Sequence, residues 1–234
     1  FLHSGALMTG QSPTALPEGH KLAFHVKPLQ TTVPLSFASY TPAPLVAMMR
    51  YGKWNDILSL PLPDDRYYLS AATQRFARGL AFVRSSRLEE AQAELAALEG
   101  IHKLDTMKTI YVFFNANSQV TEVAVKLLKG EILIAQKKVG EGVQQLEAAV
   151  AAEDELRYNE PSDWRLPARH YLGAALVEAG RVAEAVKVYE RDLAINPGNG
   201  WSLKGLVNCK VDVLKRFEKA WGKADVVISS SRFE

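Results

Sequence analysis

The chain has 234 residues, 47% of them apolar and 23% charged, with 28 Lys plus Arg against 26 Asp plus Glu. That is enough chain for a sizeable core, and a formal charge of +2 carries no electrostatic footprint for nucleic acid or an acidic membrane surface. The single Cys209 excludes an internal disulfide and a cysteine zinc cage, and no apolar run is long enough to span a bilayer. One cysteine fits a reducing compartment such as the cytoplasm, although a cysteine-poor periplasmic protein would look the same.

Residues 1–9 read as the second half of an amphipathic helix already under way, with neither the basic lead nor the apolar stretch of a signal peptide. The chain therefore reads as the C-terminal part of a longer protein, or as a processed product. A turn at Gly10-Gln11-Ser12 leads into a helix over 13–24, with Ser12-Pro13 as cap and first helical position. Residues 28–39, rich in Thr, Ser and Pro, predict an irregular connection. A helix over 44–51, a turn at Gly52 and a helix over 54–60 follow, the last stopped by Pro61 and Pro63. Residues 1–63 thus form divergent N-terminal helix pairs with an irregular linker, and 64–234 a repeat region with a C-terminal capping helix and tail.

The repeat region is marked by Gly79, Gly130, Gly173 and Gly205, each inside a helical pattern where glycine costs about 1 kcal/mol. A cost paid four times implies close approach of a partner helix. Twelve residues on stand Ala91, Gly142, Ala185 and Phe217, and four further Leu95, Leu146, Tyr189 and Trp221, the expected packing positions of each second helix. The glycine intervals of 51, 43 and 32 place insertions around 100–118 and 154–164. Phe217 and Trp221 read as the last core anchors. The tail from Ala224 has strand-like character at Val226-Val227-Ile228, and it is expected to lie against the last helices.

The stretch 166–197 carries Leu172-Gly173, Gly180, Ala185, Tyr189, Leu193 and a closing Pro197. This spacing resembles the tetratricopeptide repeat (TPR). The resemblance implies an all-α, right-handed α-solenoid of about four to five helix-turn-helix pairs with inserted loops, whose first helices line a concave face. More narrowly, the block Tyr158-Asn159-Glu160-Pro161-Ser162-Asp163-Trp164, with Pro167, Arg169, Leu172-Gly173, Asn199-Gly200-Trp201 and the ending Trp221, Ala224-Asp225, Ser231-Arg232-Phe233, is similar to the C-terminal part of a group of bacterial TPR proteins, most of them uncharacterised. Longer members of that group imply His-rich helices upstream of Phe1, so that any metal or catalytic cluster would lie mostly outside these residues.

The inward positions of the first helices are Phe76, Leu80 and Val83; Leu127, Glu131 and Ile134; His170, Ala174 and Val177. They read either as helix–helix core or as an apolar groove for a peptide or helix. Apolar residues here argue against a clamp for acidic peptide tails. The loop brings together Tyr158, Glu160, Asp163, Trp164, Arg169 and His170. Arg169 is expected to pair with Glu160 or Asp163. In the structural reading of the same loop, Asp163 caps the following helix and Trp164 packs over it. His20 and His25 have poor metal-ligand spacing, no Ser, Cys or Thr sits in a nucleophile motif, and Gly198-Asn199-Gly200 reads as a turn. No catalytic, cofactor or metal residue is therefore assigned. The expected function is an interaction scaffold. It would bind a protein or peptide partner, or the missing N-terminal repeats, and neither nucleic acid nor membrane, through Phe76, Leu80, Leu127, Glu131, Tyr158, Glu160, Trp164, Arg169 and His170. The alternative is one wall of a larger TPR enzyme or metal-binding protein, with His3, Glu131 and His170 as contributors.

Overall fold

The computed structural model describes residues 2–26, 42–62 and 67–233, and among them the protein is all-α apart from one two-stranded ribbon. Consecutive helices pack as hairpins: α1 (Leu2–Met8) with α2 (Ser12–Val26), α3 (Ala43–Arg50) with α4 (Trp54–Ser59), and α5 (Tyr68–Arg84) with α6 (Leu88–His102). A short α7 (Asp105–Thr109) and the ribbon β1 (Tyr111–Val112) and β2 (Asn115–Ala116) interrupt the series. It resumes with α8 (Asn117–Ala135) against α9 (Val139–Asp154), α10 (Ala168–Glu178) against α11 (Val182–Ile195), and α12 (Gly200–Asn208) against α13 (Leu214–Trp221). The first helices α3, α5, α8, α10 and α12 lie side by side as one row, each touching the next.

Local chemistry sets the helix limits. Glu89 and Glu90 occupy the first turn of α6 and His102 its last, matching the helix dipole at both ends. Gln119 reaches back to the amide of Ala116 at 2.8 Å and so closes the start of α8. Leu60 is extended ahead of Pro61, which ends α4. The expected irregular linker at 28–39, and Pro63, lie outside the described residues.

Both insertions are present and brace one another. The ribbon pairs Tyr111 with Ala116 and Val112 with Asn115. The carboxamide of the fully buried Asn115 then donates to the Arg157 carbonyl (3.0 Å) and to Asp163 (2.7 Å), and accepts from the Arg157 amide (2.8 Å). Three hydrogen bonds from one buried side chain fix the start of the second loop.

The four helical glycines are all sites of close approach, but not all to the expected partner. A Cβ on Gly130 would lie 2.8 Å from Leu146, and one on Gly173 would lie 2.4 Å from the Tyr189 ring, each on the second helix of the same pair. Gly79 instead meets Leu128 of α8, and Gly205 meets Tyr189 of α11. The small residue admits a neighbouring pair in those two cases. Phe217 and Trp221 stack with centroids 5.8 Å apart. Trp221 also meets Trp201 edge-on at 5.4 Å and fills the space over Gly10 and Gly200.

Val226-Val227-Ile228 forms no strand. Ile228 is buried, Val227 is exposed, and the segment runs on irregularly through Phe233. It is tied to the last helices as expected, through the Trp221 indole to the Val226 carbonyl (2.8 Å) and Asn208 to the Ser229 carbonyl (2.8 Å). Beyond Ser229 it leaves them and crosses the row of first helices.

Candidate functional site

The inner side of that row is covered. Phe76, Leu80 and Leu127 are fully buried, so none of the three is open to solvent. Trp164 meets Phe76 edge-on at 5.2 Å and donates its indole N–H to the Leu166 carbonyl at 2.6 Å, so the loop before α10 lies on the face formed by α5 and α8. Tyr158 and Glu160 point outward and bond each other at the exposed tip of that loop.

Two expectations for the loop are corrected. Arg169 pairs with Asp154 through both guanidinium nitrogens (2.9 and 2.5 Å), and with neither Glu160 nor Asp163. Asp163 does not cap α10. It accepts from Asn115 and from Asn159 (2.8 Å), because Pro167 occupies the cap position four residues later. The first amide of α10, on Ala168, is satisfied by the Glu153 carboxyl at 2.8 Å, a cap supplied by the last turn of α9.

The C-terminal segment holds the remainder of the inner side. The Ser231 hydroxyl donates to the His170 carbonyl (2.7 Å) and accepts a hydrogen bond from the Tyr189 hydroxyl (2.7 Å). Arg232 donates to Glu131 and, through its other terminal nitrogen, to both oxygens of Glu178 (2.7 and 3.0 Å). Glu131, only 1% exposed, also accepts from Arg84, whose Nε donates to the Phe233 carbonyl at 3.1 Å. The Phe233 ring rests on Gly52, where a Cβ would stand 2.2 Å from it. A segment without secondary structure is thus gripped by side chains of α5, α8, α10 and α11 and by the α3–α4 turn.

Beneath it lies a wholly buried polar cluster. Arg50 donates to His170 Nδ1 at 2.9 Å and stacks over Trp201 at 4.6 Å. A guanidinium only donates, so Nδ1 accepts from it, and Nε2 stands 3.4 Å from Asp192 Oδ2. Asn199 Nδ2 lies 2.6 Å from that same Nε2. Burial and the Arg50 charge hold His170 neutral, below its ordinary proton affinity. Burial alone would raise Asp192. Hydrogen bonds from Ser202 (2.6 Å), Asn199 (2.7 Å) and Asn196 (3.0 Å), together with the His170 ring, outweigh that and keep its carboxylate ionised. Burial pulls Arg50 down to about 10, against the influence of Tyr171, Tyr51, Asp192 and Glu153.

Serine, histidine and aspartate here do not make a nucleophile. The Ser202 hydroxyl points at Asp192, Arg50 occupies the acceptor nitrogen of the histidine, and all of these groups are buried. His3 bonds the Ala15 carbonyl within the first helix pair (2.9 Å), while Glu131 and His170 are engaged by Arg232 and Arg50. The three do not converge. Among the described residues no group of three or more His, Cys, Asp or Glu could hold a metal ion, and no helix is long and apolar enough to cross a membrane.

Sequence reasoning missed Arg50, Asp192, Asn199, Ser202 and Arg232 as partners of the residues it chose. Asn199 read as part of a glycine turn. In the structure it caps α12, accepting from the Trp201 amide at 3.2 Å, and its nitrogen serves the cluster. Comparison with family models, curated proteins and solved structures finds no match for this chain.

Proposed function

We propose that the chain is a TPR-type α-solenoid acting as an interaction scaffold, and that its inner face is a groove for an extended peptide. In the form described, residues 226–233 of the same chain occupy that groove. The observation that carries this reading is the grip on Ser231-Arg232-Phe233. It combines a buried carboxylate shared by two arginines, a hydroxyl relay to a main-chain carbonyl, and an aromatic ring on a bare glycine. These are the devices by which grooves read extended peptides. A protein partner would enter by the same contacts, with Glu131 setting register and Trp164 closing the apolar part of the face.

The test uses a labelled peptide of residues 226–234. Arg232→Ala weakens the internal grip, so this variant is expected to bind the peptide in the micromolar range, about −8 kcal/mol. The unaltered chain should bind it far more weakly, because its own tail competes at millimolar effective concentration. Adding Glu131→Gln to the variant should abolish binding. No binding by the Arg232→Ala chain would make the segment a fixed part of the core and end the groove reading.

A further inference from the structure

The contacts that grip the tail differ in what they would accept from another chain. Arg232 sets its two terminal nitrogens on two neighbouring first helices. One donates to Glu131 of α8, the other to both oxygens of Glu178 on α10 (2.7 and 3.0 Å). A planar guanidinium fork serves both carboxylates at once, whereas an ammonium concentrates its donors on one atom. Glu131 also receives Arg84. Two acids thus face one resident arginine, and the place is net negative whenever Arg232 is out of it.

Ser231 sets the tighter limit. Its side chain is fully buried between the His170 carbonyl, to which it donates at 2.7 Å, and the Tyr189 hydroxyl, from which it accepts at 2.7 Å. The tyrosine wall has no room to retreat, because its ring is seated on Gly173 and Gly205, where a Cβ would stand 2.4 and 2.2 Å from it. A phosphoryl group on the serine would remove the donated hydrogen and set about two negative charges one residue from the carboxylates that hold the arginine. On the other side of the arginine, the Phe233 ring lies on Gly52, whose φ of +65° and bare Cα leave a flat place for it, and the Phe233 carbonyl accepts from Arg84 at 3.1 Å.

Resting on the groove proposed above, we infer that its outside partners are peptides carrying an unphosphorylated serine, an arginine and an aromatic residue in succession, and that phosphorylation of that serine prevents their binding. The arginine supplies the charge and spans α8 and α10. The serine limits size, and the aromatic ring closes the end against the α3–α4 turn. The chain's own tail holds the groove with the same three residues, so it competes with such a partner and cannot stay in place beside it.

The experiment follows the fluorescence anisotropy of labelled 226–234 peptides on the full chain carrying Arg232→Ala. A second host, Phe233→Ala, loosens the tail at the ring and leaves Glu131 paired. The native peptide should saturate in the micromolar range. Peptides with Arg232→Lys or Phe233→Ala should bind about tenfold more weakly, and the peptide phosphorylated at Ser231 should not saturate even at millimolar concentration. Adding Glu178→Ala to the host should shrink the preference for arginine over lysine to about threefold or less, because the fork then has one carboxylate to serve. If the native peptide binds but the lysine and phosphorylated forms bind as well, the groove stands and its sequence preference is overturned. If the native peptide binds neither host, the groove itself falls, and the preference with it.

Discussion

Gly173 shows how much one missing methyl group carries. A Cβ there would sit 2.4 Å from the Tyr189 ring, and that ring cannot swing aside, because its hydroxyl is held by Ser231 at 2.7 Å. Gly173→Ala is expected to cost about 1–3 kcal/mol through overpacking. At Gly100, in an exposed turn of α6, a Cβ meets nothing within 4 Å. Gly100→Ala should therefore stabilise by up to about 1 kcal/mol. Thermal melts of the two variants moving in opposite directions would separate packing from propensity, and equal shifts would refute the close approach. Glu153 makes a second residue-scale prediction, in pH. Its carboxyl ionises in the unfolded chain at the ordinary carboxylate value but in the folded chain only at about 8. The folded state then binds the extra proton between those values, so stability is full below the lower one and falls as pH rises, by at most about 1.4 kcal/mol per unit. Above pH ~8 the loss levels off. Glutamine cannot titrate and still accepts from the Ala168 amide. Glu153→Gln should therefore match the unaltered chain in melting temperature at acidic pH and exceed it increasingly toward pH ~8. A constant gap across that range would mean that Glu153 is ionised throughout.

At the scale of elements, the buried and exposed arms of one arginine differ in weight. Glu131 is fully enclosed and pairs with both Arg84 and Arg232, so Glu131→Ala takes away the carboxylate that these two largely enclosed guanidinium groups share and should cost about 3–5 kcal/mol. Glu178, whose side chain is 43% exposed, pairs with the same Arg232 in solvent, and Glu178→Ala should cost no more than about 1 kcal/mol. Urea denaturation of the two variants checks the contrast, and similar losses would refute the buried triad. The same elements show what was legible in the sequence. The α10–α11 and α8–α9 hairpins were, because a glycine twelve residues ahead of a small position and sixteen ahead of Leu146 or Tyr189 encodes one helix crossing within one pair. Gly79 and Gly205 look identical on paper, yet they admit Leu128 and Tyr189 from neighbouring pairs, a choice made by tertiary packing alone. The loop's tryptophan was legible as a packing residue. The partner of Arg169 was not, since Asp154 belongs to the preceding helix and the nearer Asp163 is drawn off by Asn115. The tail was least legible, because Ser231 and Arg232 find their partners 42 to 101 residues away and no periodicity announces such contacts.

The whole molecule closes on itself. Trp201 of α12 is fully buried, donates its indole N–H to the Leu7 carbonyl of α1 at 2.9 Å, and lies under Arg50 of α3. Asp225, just past α13, accepts from both the amide and the hydroxyl of Ser12 at the start of α2, and its own amide donates to the Gly10 carbonyl at 3.2 Å. Stacked helix pairs that touch only their neighbours unfold progressively from their ends. Here the two ends are bonded to each other, and the tail spans the pairs between them, so no terminal pair can fray without breaking contacts at the opposite end of the row. One cooperative transition is therefore expected, with calorimetric and van't Hoff enthalpies in a ratio near 1. Trp201→Ala removes the common anchor of α1, α3 and α13. Beyond a loss of about 3–5 kcal/mol, it should raise that ratio as the first two pairs melt ahead of the remainder, and the amides of α1 and α2 should exchange hydrogen faster than those of α8 and α9. If the variant still melts in a single sharp transition with all amides equally protected, the closure contributes stability but not cooperativity, and coupling between the ends must run through the row of first helices instead.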